Sequence, residues 1–213
     1  MRPLPLLLTV RLLPVVVLAT AGWAWTTGPY APSTTPAAAP RPAPSAPAPE
    51  PATHGAPPDP CAAVSEKTIK DLVPGAEPAG KELDLTNPNR RRTCSWNALD
   101  GFDYRWLDVS YDVLASEKDA RSMYRKRLIA TGQGTDGLGD QASVSVDLTT
   151  EDKQQTREAV VLVRSGNALV TVTHNGSNFA SEGAPGADVI REGAVRVARG
   201  AVRGLEGQTA AAE

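Results

Sequence analysis

Residues 93–114 read TCSWNALDGFDYRWLDVSYDVL, and this stretch decides the fold class. Thr93 to Ala98 and Phe102 to Leu114 are two strand-like runs flanking Asp100-Gly101, a pair suited to a tight primed turn. In the second run Leu107, Val109, Tyr111 and Val113 alternate with Asp108, Ser110 and Asp112. Alternation at period two gives a half-buried strand with one wet face, as in an antiparallel sheet.

Upstream, Asp59-Pro60-Cys61-Ala62-Ala63-Val64 reads as a short helical turn opened by proline. Ser65 then caps a helix through Val73 that buries Ile69, Leu72 and Val73, and Pro74-Gly75 stops it. Residues 76–91 are polar and turn-rich, a loop ending in Arg90-Arg91-Arg92. Downstream, Ser116 and Asp119 resemble a capping box with Asp in place of Glu. They open a helix through about Ala130, with Ala120, Met123, Tyr124 and Leu128 inward and Arg121, Arg125 and Lys126 outward.

After a glycine-rich segment from Gly132 to Gly139, three more strands are expected. Ala142 to Leu148 alternates. Ala159 to Arg164 is largely apolar, hence central, and Ala168 to His174 follows the turn Ser165-Gly166-Asn167. A last helix from about Ala187 to Leu205 puts Ile190, Ala194, Val197, Ala198, Ala201 and Leu205 on one face. The order α-β-β-α-β-β-β-α predicts an α+β fold, an antiparallel sheet of about five strands with helices packed on it.

The surroundings of this domain say where it works. Residues 4–25 are largely apolar, with Arg2 and Arg11 the only charges near the start. They read as an N-terminal membrane anchor with a cytoplasmic N-terminus and Trp23 and Trp25 at the outer interface. The alternative is a signal peptide cleaved after Ala21, at Ala19-Thr20-Ala21. A lipid anchor needs a cysteine directly after the apolar run, and none stands there. Residues 26–58 form a Pro/Ala-rich disordered linker, a polyproline II spacer or simply a solvated connection. His54 lies in it and is expected to be exposed. The α+β extracytoplasmic domain spans 59–207, and 208–213 is a flexible tail. Setting aside Arg2, Arg11, Arg41, Glu50 and Glu213, the domain carries 19 basic and 22 acidic residues, a balance that argues against nucleic acid.

Cys61 and Cys94 are the only cysteines. In an oxidising compartment an even pair is most simply a disulfide. Free thiols are the alternative; a zinc site is not, because no histidines accompany the pair.

Several local signatures recur in order. Asp59-Pro60-Cys61 precedes a helix, Cys94-Ser95-Trp96 begins a strand, Gly137-Leu138-Gly139-Asp140-Gln141-Ala142 leads into another, and Arg164-Ser165-Gly166-Asn167 makes a hairpin. Together they resemble the actinobacterial domain-of-unknown-function family 3558 over roughly residues 59–204. That resemblance implies a secreted or membrane-anchored α+β domain with the disulfide Cys61–Cys94, and kinship in shape with extracytoplasmic sensor domains. It brings no established activity and no catalytic residues.

The residues offer few chemical candidates. His174 has no partner named by the sequence and reads as the end of a strand. Asp136 and Asp140 flank the glycines of Gly134 to Gly139, but Asp140-Gln141 stands where a phosphate loop needs Lys and Ser/Thr. That segment reads as a turn. Arg90-Arg91-Arg92 and the helical set Arg196, Arg199 and Arg203 read as solvated surface, or as contacts for an anionic wall polymer or lipid. Tyr104 and Trp106 point away from Val109 and Tyr111; covered by helices they are core, uncovered they form a binding platform. Asn175-Gly176-Ser177 is an incidental sequon. No cofactor, metal or catalytic set is implied. The leading expectation is a membrane-tethered binding or accessory domain for an envelope protein, wall component or small ligand. An envelope enzyme with a dispersed site around His174 or Asp136 is the alternative, and a sensor ranks last.

Overall fold

The computed structural model describes residues 54–84 and 87–210, with side chains as far as Gly207. The apolar leader, the cleavage site after Ala21, the linker up to residue 53 and the tail from residue 211 lie outside the described residues. Among the described residues no helix is long and apolar enough to cross a membrane.

Among the described residues three α-helices form, two of them where their serine caps place them. Helix α1, Glu66–Leu72, starts at Ser65, whose Oγ accepts from the Thr68 amide at 3.2 Å, and buries Ile69 and Leu72. Helix α2, Glu117–Arg127, starts at Ser116 in the expected manner. The Ser116 Oγ accepts from the Asp119 amide at 3.1 Å and donates to the Asp119 carboxylate at 2.8 Å. It ends three residues before the expected Ala130, so Leu128 falls beyond the last turn and is exposed rather than inward. Helix α3, Ala187–Ala210, buries all six residues of the predicted face and runs past Leu205.

The sheet has seven antiparallel strands, not five. They are β1 Lys81–Glu82, β2 Arg91–Asp100, β3 Asp103–Val113, β4 Gln133–Gly134, β5 Gln141–Glu151, β6 Gln154–Ser165 and β7 Ala168–Asn178, in the order β1-β2-β3-β7-β6-β5-β4. The two extra strands are polar two-residue edge pairs, too short to show any periodicity. β6 is an inner strand as expected, but the middle of the sheet belongs to β7. The β2–β3 turn is shifted by one residue. Asp100 pairs with Asp103, so Gly101-Phe102 is the loop, with positive φ at Gly101 alone. Glycine first is the type II′ arrangement.

One face of the sheet is dry. Trp96, Leu107, Val109, Tyr111, Val161, Val163, Val170 and Val172 pack there with α1 and α3 in a single core. Tyr111 spans this layer: its hydroxyl donates to the Ala201 carbonyl at 2.9 Å, and burial pushes its pKa well up. The disulfide Cys61–Cys94, with Cα atoms 5.2 Å apart, ties the segment before α1 to β2. Asp59 stiffens that segment by accepting from the Cys61 amide at 2.8 Å.

Candidate functional site

Two of the recurring signatures meet in space, and their meeting is architectural. Gly139 sits at φ +53, and a Cβ there would lie 2.5 Å from the Arg164 carbonyl oxygen. Only glycine lets the bend before β5 close so tightly on β6. Asp140 accepts from the Gly166 amide at 2.8 Å and pairs with Arg164 at 2.8 Å; Arg164 also donates to Gln141 at 2.8 Å. Asn167 completes the cluster. Its side chain accepts from the His54 amide and donates to the His54 and Leu114 carbonyls. His54 is therefore buried, 5% exposed, and not the exposed residue its proline-rich setting suggested. Its backbone polar groups find partners inside the domain, and burial follows. A pocket of about 330 Å³ lies beside this cluster, lined by Tyr124 and the Gly134–Ala142 segment, Asp136 among them.

His174 belongs to the dry face. It is 1% exposed, its Nδ1 lies 3.2 Å from the Ile190 carbonyl, and burial holds its pKa below the ordinary value. A Cβ on Gly193 would lie 2.8 Å from that nitrogen, so α3 seats directly on the ring. This is a packed core histidine, and Asp136 lies elsewhere, in the Gly134–Ala142 segment.

The arginine groups separate. Arg92 is bound to Glu82 through two hydrogen bonds, 2.6 and 2.7 Å, and holds the Glu82 carboxyl below its usual range. Arg91 lies 3.8 Å from Asp112. Arg196, Arg199 and Arg203 lie exposed on α3, with Arg196 3.9 Å from Asp71. The sequon lies within central strand β7, with Ser177 buried.

The second face of the sheet is different. Helix α2 covers only one end of it, where Tyr124 packs on Leu162 and Leu169. Elsewhere the face is polar and partly open. Register aligns Asn97, Trp106, Asn175, Glu158 and Asp147 in one row across five strands. The next row holds Ser95, Asp108, Thr173, Val160 and Ser145. Tyr104 and Trp106 are half-buried and meet edge to face at 6.4 Å, and Tyr104 lies 6.5 Å from Phe179. Leu99, Phe102 and Phe179 are exposed at the same end. Helix α2 packs at the Leu162 and Leu169 end, so Tyr104 and Trp106 are half-buried rather than core. Asp108, Thr171 and Ser145 join them. Sequence alternation marked Asp108 as wet, but only the register brings these residues of three strands onto one surface.

Four of the eight shielded side-chain polar atoms without a partner among the described residues lie on this face. They are Trp106 Nε1, Asp108 Oδ1, Thr171 Oγ1 and Ser145 Oγ. Among the described residues no cluster of three or more His, Cys, Asp or Glu forms a metal site.

No family model matches the chain, and no curated protein matches it. The resemblance to the actinobacterial family thus rests on its local motifs. Among solved structures, a protein of Bacteroides thetaiotaomicron is similar at 12% identity and TM-score 0.33, over 55% of this chain and 47% of that one. The chain thus spans about half the length of that relative. LpqN of Mycobacterium tuberculosis, involved in cell envelope biogenesis, is similar at 16% identity and TM-score 0.25, over 53% of this chain and 82% of that one. Ara h 8.0201 is similar at 11% identity and TM-score 0.19, over 76% of this chain and 95% of that one.

Proposed function

We propose that residues 54–210 form an extracytoplasmic binding or accessory domain that meets an envelope partner through the wet face of its sheet. The observation that carries this reading is the partly open face itself, where aromatic rings and shielded, unpartnered polar atoms stand side by side. Polar atoms shielded without a protein partner are rare in folded proteins, and a bound group that supplies their hydrogen bonds, ordered water or ligand, accounts for them. The disulfide supports an oxidising compartment, and the apolar leader would hold the chain at the membrane or release it. His54 is bonded at the Leu114 end of β3, and Trp106 lies eight residues back along the same strand, roughly 26 Å away.

The test is photo-crosslinking in living host cells. A crosslinking residue replaces Asn97, exposed on the wet face, or Lys67, exposed on α1. Capture of the same envelope component at position 97 but not at 67, abolished by Trp106→Ala, supports the reading. Equal capture at both positions, or none at position 97, overturns it.

A further inference from the structure

We infer that the wet face binds a neutral, hydroxyl-rich glycan, centred on Trp106, Asp108 and Thr171. This rests on the reading of that face as the binding surface and adds the class of ligand.

The donor and acceptor pattern carries the inference. The Trp106 indole donates only, the Asp108 carboxylate accepts only, and the Thr171 and Ser145 hydroxyls do both. All four atoms lack a partner and lie on one face. Ser145 is 3% exposed and shares the Asp108 row, three strands away on β5, roughly 14 Å. Trp106 and Asp108 are two residues apart on β3, about 7 Å along the strand, and Thr171 sits opposite Ser110, the next residue on that face. A ligand matching them needs donors and acceptors repeated every few ångströms. A sugar ring offers that with hydroxyls alone, and its apolar face suits an aromatic neighbour.

Charge narrows the class further. Asp108, Glu158 and Asp147 lie in the two central rows. The arginines of this face stand at its Asp112 end: Arg127 pairs with Asp112 at 2.6 Å, Arg91 lies 3.8 Å from it, and Arg164 pairs with Asp140 and Glu117. An anionic polymer or phosphate would meet uncompensated carboxylates, whereas a neutral saccharide would not. A peptide pairs most readily at an open sheet edge, and β3 and β7 are paired on both sides.

Ligand access requires one local movement. Trp106 Nε1 and Asp108 Oδ1 are shielded two residues apart on β3, and rotation of the half-buried Trp106 ring, packed edge-on against Tyr104, would open that part of the face. Rotamer changes of this size are common on binding.

The experiment uses the full chain labelled with ¹⁵N-tryptophan in a sugar-free detergent, which gives four indole signals. The probes are neutral hexasaccharides of glucose, galactose and N-acetylglucosamine, with dextran sulfate as the anionic control. The expected result is a saturable shift of the Trp106 indole with at least one neutral hexasaccharide and none with dextran sulfate. Asp108→Asn and Thr171→Val should each weaken that binding roughly tenfold, with the Trp96 core signal unmoved. No shift with any neutral probe, or a shift with dextran sulfate alone, overturns the glycan. If position 97 still captures an envelope component in cells, the binding face survives that result; if it captures nothing, both fall.

Discussion

Asn167 grips the backbone of His54 from both sides. Its Oδ1 accepts from the His54 amide at 2.7 Å, and its Nδ2 donates to the His54 carbonyl at 3.0 Å. Two residues 113 positions apart are thereby fixed to one another. Asn167→Ala removes three hydrogen bonds, including the one to Leu114 at 3.0 Å, and strands the groups that made them. A loss of about 1–3 kcal/mol is expected. Urea denaturation measures it, and a change within a few tenths of a kcal/mol would show that the clamp does not contribute.

The two histidines of the chain give the domain a stability that depends on mild acid. Burial holds the pKa of His174 below 6.5, and burial does the same to His54, with Asp140 partly opposing it. The unfolded chain takes up these protons near pH 6.5 while the folded chain resists them. Folded stability is therefore full above pH 6.5 and falls as pH drops through the lowered folded values. The melting temperature should decline between pH 7 and 5. That window lies above the one in which Glu82 would lose its ion pair with Arg92, since the carboxyl is held low. His174→Gln should flatten the decline even though it lowers stability at pH 7. An unchanged slope would mean that the ring is not kept neutral in the folded state.

Cys94 is fully buried and Cys61 half-buried, so folding slows the access of reductant to the disulfide. It closes a loop with a sequence separation of 33, for which the chain-entropy model gives roughly 3–4 kcal/mol. The double variant Cys61→Ala/Cys94→Ala should lose about that much in denaturant titration. Reduction should be slower in the native protein than in the unfolded chain at the same concentration of reductant.

What the sequence made legible was what periodicity and capping encode. The face of α3 from Ile190 to Leu205, the Ser65 and Ser116 caps and the long alternating strands all leave a local pattern. Other features leave none. Lys81-Glu82 and Gln133-Gly134 are strands only because β2 and β5 offer partners. The β5–β6 turn is made by Asp152 and Lys153 at φ 47 and 72, without the glycine or asparagine that marks such turns, so both strands run several residues past their apolar cores. His54 resembles its proline-rich neighbours in composition and is set apart only by Asn167. The wet face is a product of register, since Asp108, Thr171 and Ser145 come from separate strands.

Gly139→Ala tests whether the convergent signatures act as one structural unit. At φ +53 an alanine is strained by its own backbone, and its Cβ would sit 2.5 Å from the Arg164 carbonyl and 2.8 Å from Val163. Neither segment can retreat cheaply, because Asp140 is bonded to Gly166 and Arg164 on the far side of the same contact. The combined cost should be about 2–4 kcal/mol, from left-handed strain and overpacking together. Gly137→Ala provides the control. It shares a positive φ of +74 but meets nothing within 4 Å, so it should cost only the conformational share, about 1–2 kcal/mol. Equal losses in the two variants would mean that the glycines serve chain direction alone. A larger loss at Gly139 would mean that this residue is glycine because Arg164 and its hairpin close against it.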